Sequence, residues 1–218
     1  MTISQVSAKI DLRLNRSASG DYDNLWPYVK EEAFRKAIND WVRRQKHGKN
    51  VTQEGDEESD IKVDDLQVLL KQTTLKARNV KRYAETEKLP ADYLYFKRFT
   101  PTVTKGNCKE VTIKSHLREE ANVDELLTNT SFDFEETYHT IIGNRIHLYH
   151  NGEFTVNSAL LTYYRSPKTY SFKKLDSVIE FKDDVCELLV DEACKIIAGD
   201  LENGAQKQLA QEREKENN

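Results

Sequence analysis

Between Tyr138 and Tyr164 the chain reads YHTIIGNRIHLYHNGEFTVNSALLTYY. Apolar and polar residues alternate along it, and two Gly/Asn pairs, Gly143-Asn144 and Asn151-Gly152, interrupt it. Alternation of period two sends successive side chains to opposite faces of a strand, so one face can be buried while the other meets water. Glycine and asparagine tolerate the positive φ that tight hairpin turns demand. The segment therefore predicts three strands in an antiparallel meander, and it makes the centre of the chain β.

The second turn allows two registers. A two-residue loop pairs Tyr149 with Phe154 and leaves Ile146 and Leu148 opposite polar residues. A three-residue loop with Gly152 left-handed pairs Leu148 with Phe154 and Ile146 with Val156, collecting four apolar residues on one face. A one-residue slip flips every side chain, so burial favours the bulged hairpin. Upstream, YLYFKRFTPTVT and CKEVTIKSHL read as two strands joined by KGN, and NVDELLTN reads as a helical turn. LQVLLKQTTLKARNVKRYAE is open between helix and strand: its leucines favour the first, its threonines and valines the second. Ser166-Pro167 ends the last strand, because proline donates no ladder hydrogen bond.

Helices flank this β region. Ile3, Val6 and Ile10 recur at helical spacing. Pro27 opens a longer helix as a first-turn proline, with Trp26, Val29, Ala33, Phe34, Ala37, Ile38, Trp41 and Val42 as its apolar stripe. From Val178 a third helix buries Phe181, Val185, Leu188, Leu189, Ala193, Ile196, Ile197 and Leu201. After Asn203-Gly204 the sequence is polar but for Leu209. Between Lys49 and Asp65 there are seven acids against two lysines and almost nothing to bury, as in a linker. The expected class is α+β: N-terminal helices, a central antiparallel β-meander or sandwich, and a long C-terminal helix with a polar tail. The expected divisions are residues 1–48 helical, 49–63 acidic linker, 64–177 β core and 178–218 helix and tail.

Composition narrows the function. Apolar residues make up 38% of the chain and charged ones 32%, against the usual ~45–50% and ~25%. That balance fits long exposed elements better than one large core. A protein whose main task is gripping phosphates is usually basic, so the net charge of −4 puts non-specific nucleic-acid binding at a disadvantage. No apolar run is long enough to span a membrane, and MTISQVSAKIDLRLNR lacks the apolar core of a secretory leader. Cys108, Cys186 and Cys194 are odd in number and widely spaced, so no disulfide framework is expected.

Catalytic signatures are missing too. There is no Gly-x-Ser-x-Gly, no Walker loop, no Gly-x-Gly-x-x-Gly and no Cys-x-x-Cys. His147 and His150 point to opposite strand faces, and His139 adds no third ligand, so the three read as surface or strand-face histidines rather than a metal site. No catalytic, cofactor or metal residue is expected. KLPADYLYFKRF, Lys88–Phe99, interleaves aromatics with bases in the manner of a base-stacking platform. Alternation places Tyr93, Tyr95, Lys97 and Phe99 on one side and Leu94, Phe96 and Arg98 on the other. Neither face is a clean platform, and a strand packed on one side fits better.

Four stretches carry a likeness to known proteins: LPADY at Leu89–Tyr93, the strand after Cys108, IIGNRIHLYHNGEFTVNSALLTYYRSPKTY, and ELLVDEACKIIAGDLENGAQKQ on the last helix. Together they resemble neck and ring proteins of crAss-like tailed bacteriophages, in the class of head–tail connectors. The resemblance implies a non-enzymatic virion subunit, made in the host cytoplasm and resident in the neck or tail. It implies a closed, twelvefold ring of this chain, in contact with the portal and with adjacent neck or tail proteins. DNA would pass through the ring without sequence-specific binding. Intersubunit contacts are expected from the acidic loop (Glu57, Glu58), the strand ends (Lys97, Arg98, Tyr163, Arg165, Lys168) and the tail (Leu209). The competing expectation is a nucleic-acid-binding accessory protein using Arg98, Arg165, Lys168 and Lys173.

Overall fold

A computed structural model describes residues 1–17, 25–47, 65–120, 136–150 and 152–201. The acidic linker, the NVDELLTN turn and the polar tail lie outside the described residues. The class is α+β, with helices at both ends of the sequence and strands between. Residues 1–68 and 167–218 form one unit, and residues 69–166 form the other.

The helical unit contains α1 (Ile3–Ser17), α2 (Pro27–His47) and α3 (Asp183–Leu201). Helix α3 packs against both of the others. Ile3, Val6, Ile10 and Leu14 bury one stripe of α1, and Ala33, Phe34, Ala37, Ile38, Trp41 and Val42 bury one stripe of α2. Spacings of three and four residues return side chains to the same helix face, and burying that face holds the helices together. Phe34 meets Tyr170 and Phe172 edge-on, and Trp41 meets Phe181 likewise. Polar ties reinforce the packing: Glu187 accepts from Lys9 and Arg13, and Asp191 accepts from Arg13 at 2.7 Å. The buried Lys30 ammonium donates to Asp11 at 2.6 Å and to the Ser7 hydroxyl at 3.1 Å.

Three expectations about these helices are corrected. Trp26 precedes the first turn of α2 and is 70% exposed, outside the stripe. Helix α3 begins at Asp183, not Val178. Val178 instead bridges Thr2, and the neighbouring Ile179 and Ser177 exchange main-chain bonds with Met1 and Ile3. A backbone engaged in that bridge is unavailable for helical turns. Leu188 is 58% exposed, because two adjacent leucines sit about 100° apart on a helix and only Leu189 faces inward. Cys186 and Val190 complete the buried stripe in its place.

The β unit holds eight strands: β1 (Leu70–Asn79), β2 (Tyr83–Thr86), β3 (Tyr93–Thr104), β4 (Val111–Thr112), β5 (Lys114–Leu117), β6 (Glu136–Ile142), β7 (Arg145–Tyr149) and β8 (Thr155–Arg165). Their order is β4-β3-β8-β1-β2-β7-β6-β5, antiparallel except for the parallel β5–β6 pair. Strands β4 and β5 are successive pieces of one stretch, broken at buried Ile113, whose N–H donates to the Pro101 carbonyl. That stretch pairs with β3 at its start and β6 at its end, so it nearly closes the sheet into a barrel. The segment left open between helix and strand is thus β1 and β2, behind a short 3-10 turn at Gln67–Leu69.

The β6–β7 hairpin follows the expected turn: Ile142 pairs with Arg145 across Gly143-Asn144, and Gly143 takes φ +58°. The β7–β8 hairpin does not form in either register. Strand β7 pairs with β2 and β6, whereas β8 pairs with β1 and β3. Between β7 and β8 the Glu153 N–H donates to the His150 carbonyl, and Gly152 takes φ +85°. Ile146, Leu148, Phe154 and Val156 still share one buried cluster with Leu75, Phe99 and Leu161. They meet across the barrel interior and not along a ladder. Strand β3 departs from simple alternation, because the register against β8 shifts between Tyr93 and Tyr95 and again between Phe96 and Arg98. Each extra residue flips the facing that follows it. Tyr93, Phe96 and Phe99 therefore all pack on the core cluster, against the expected split.

Candidate functional site

The expected contact residues are dispersed. Lys97 and Arg98 are exposed on β3, and Arg165, at the end of β8, is half-buried and donates to the Ser166 carbonyl at 3.1 Å. Lys168 belongs to the helical unit, where its main-chain N–H donates to Glu180 at 2.9 Å. Glu57, Glu58 and Leu209 lie outside the described residues. Tyr163 is only 3% exposed, so its own chain already encloses it and it offers no surface to a neighbour.

Tyr163 instead belongs to a tie at the LPADY turn. Its hydroxyl donates to Asp92 Oδ1 at 2.8 Å, and Lys71 Nζ donates to Asp92 Oδ2 at 2.6 Å. The Asp92 carbonyl accepts from Ser166, and Tyr93 stacks on Tyr163 with centroids 5.8 Å apart. Lys71, then Tyr163, hold the Asp92 carboxyl below the usual carboxylate range. Burial, with the nearby carboxylate, pushes the Tyr163 phenol up to about 12. The phenol therefore stays protonated near neutral pH, and the tie acts as a fastener.

Two of the three histidines are buried rather than on the surface. His139 is enclosed in the barrel, with Nδ1 2.6 Å from the Ser115 hydroxyl and its ring 4.9 Å from Phe99 and 5.3 Å from Phe96. Burial, helped by His116, drives its pKa down to about 3, so the imidazole is neutral. His150 Nδ1 accepts from the Gly152 N–H at 3.0 Å, and burial lowers its pKa also. His147 stacks on Tyr83 at 4.9 Å. Among the described residues no group of three or more His, Cys, Asp or Glu side chains is placed to hold a metal ion. Burial raises the Cys186 and Cys194 thiols to about 11, which keeps them as inert packing groups.

One surface emerges only from the register. On β1, β3 and β8 the residues alternating with buried Leu75, Phe99, Val103, Ala159 and Leu161 face outward. Arg98, Thr162 and Gln72 make one cross-strand row, in which Gln72 Nε2 donates to Thr162 Oγ1 at 3.3 Å. Thr100, Leu160 and Thr74 make the next. Thr112, Thr102, Ser158 and Lys76 make the third. None of these ten positions is acidic and six carry hydroxyls, although Thr162, 5% exposed, is itself buried, which leaves nine at the surface. Sequence reasoning singled out Arg98 alone. The available signal was threonine at every second position of β3 and a run of polar residues on β1.

Comparison with protein-family models and with curated proteins returns no match for this chain.

Proposed function

We propose that this chain is a structural virion subunit that assembles with copies of itself into a ring of the head–tail connector of a tailed phage, giving DNA a conduit between portal and tail. The observation that carries the proposal is a set of large apolar side chains left exposed on the helical unit. Trp26 is 70% exposed, Val178 69% and Leu188 58%, with Tyr28 beside Trp26 also well exposed. Single exposed apolar residues are ordinary, but large aromatics are the residues that anchor protein interfaces. The likeness of LPADY, the β6–β8 stretch and α3 to connector proteins supplies the kind of assembly. A ring interface is head-to-tail, so each subunit must present two different complementary surfaces.

Light scattering and electron microscopy of the purified protein, alone and with a portal protein, test this reading. A closed ring, or one that forms on the portal, is expected. The double variant W26S/L188S should remain folded and lose assembly. A chain that stays monomeric with and without portal would overturn the proposal.

A further inference from the structure

We infer that the outer face of β3, β8 and β1 is a phosphate-contacting surface for double-stranded DNA, a weak track and not a sequence reader. Its polyanion is DNA because the connector reading supplies DNA, and to that extent the inference rests on it. Charge is the first support. From Lys71 to Arg118 the sequence carries twelve Lys or Arg against four Asp or Glu, within a chain of net −4. The second support is the chemistry of the face. Phosphate oxygens are held by Arg, Lys, Gln, Ser and Thr side chains, and these types fill eight of the nine outward positions that are not buried.

Geometry limits the strength of the grip. Rows two residues apart are about 7 Å apart along a strand, and neighbouring strands are about 4.8 Å apart. Arg98 and Lys76 occupy opposite corners, two rows and two strands apart. That separates them by about 17 Å, with neutral hydroxyls between. Carboxylates occur only at the margins. Glu87 accepts from the Lys76 main-chain N–H at 3.1 Å, Asp92 is held by Lys71, and Glu110 accepts from Asn157 at 2.6 Å. Two cations on a hydroxyl floor can engage about two phosphates per subunit, and each releases about one counterion on binding. Such a surface favours DNA without fixing its position.

The test is fluorescence anisotropy of a labelled DNA duplex titrated with the full chain at several salt concentrations. The slope of log affinity against log salt should fall by about 2 in the variant R98A/K76A. The variant R35A/K195A removes two bases from the helical unit and should leave the slope unchanged. Melting curves confirm that both variants fold, since all four side chains are exposed. Equal losses in the two variants would overturn the inference, as would a wild-type chain that ignores DNA at low salt. Binding of polyglutamate with the same sensitivity to R98A/K76A would overturn the assignment to nucleic acid. Light scattering on the same samples separates the two readings. A monomer that binds DNA through this face defeats the ring alone, and a ring indifferent to these two bases defeats the face alone.

Discussion

Acid should destabilise the β barrel in large part through His139. Its imidazole is enclosed, Phe96 and Phe99 of β3 lie against the ring, and Leu148 of β7 sits opposite it in the register. The titratable neighbours are His116 on β5 and, 3.6 Å from His116, Glu136 on β6. Burial first, and His116 second, lower the pKa from 6.5 to about 3. The folded pKa lies below the unfolded one, so the unfolded chain takes the proton first. Above pH 6.5 the residue is neutral in both states and adds no pH dependence. Below it, stability is lost progressively until the folded state is protonated near pH 3. The gap of about 3.5 units, at about 1.36 kcal/mol each, gives about 5 kcal/mol over the full window and about 3 kcal/mol between pH 7 and pH 4. Other groups titrate in this range, so the quantity to measure is the difference between the wild type and H139F. The assay is urea unfolding at both pH values, followed by near-ultraviolet tyrosine dichroism. Seven of the ten tyrosines lie in the β unit, and both tryptophans, Trp26 and Trp41, lie in the helical unit. Tryptophan fluorescence is therefore an internal control that should respond equally in both proteins. If phenylalanine overfills the site, H139Q keeps an uncharged acceptor for Ser115 and serves the same purpose. Parallel pH dependences of the tyrosine signal in wild type and variant would refute the reasoning.

The remaining predictions concern the same two units. D92A should destabilise the barrel by about 1–3 kcal/mol in urea unfolding, because the buried Tyr163 hydroxyl loses its acceptor; adding Y163F should recover part of the loss. L161A should cost about 2–5 kcal/mol, since Leu161 is fully enclosed between β1 and β3, with unchanged melting excluding the core assignment. In a thiol-labelling time course at pH 8 Cys108, which is exposed, should react at once, and Cys186 only as fast as the helical unit opens.

The sequence made the faces of the strands legible, but not their neighbours. Ile146, Leu148, Phe154 and Val156 were correctly grouped because burial leaves a period-two imprint. In a barrel, however, inward residues of non-adjacent strands meet across the interior. Their burial pattern matches that of residues paired along a ladder. The partner that displaced the expected β7–β8 hairpin was β2, four residues in a stretch whose leucines also fitted a helix. Strand β3 was opaque for a different reason. Its irregularities lie in the register with β8, and nothing in YLYFKRF marks where they fall. Helix α3 misled through Leu188-Leu189, a pair that hydropathy scores alike and geometry separates.

Sites assembled from distant strands were the least legible. Asp92 is 21 residues from Lys71 and 71 from Tyr163, so no spacing motif can announce the tie. Net charge is a coarse guide here. It sums over the chain, yet the charges are sorted along it. Lys71–Arg118 holds twelve bases and four acids, which leaves 21 bases and 33 acids elsewhere. A Debye length of about 8–10 Å confines each charge's influence to its own surroundings. A face of the barrel can therefore attract phosphate whatever the total, and the total governs only how the whole molecule meets a distant polyanion. Within the connector reading the two scales oppose each other usefully: the subunit as a whole repels DNA, while one hydroxyl-lined face with two separated cations attracts it. That combination would keep a duplex near the face while leaving it free to move.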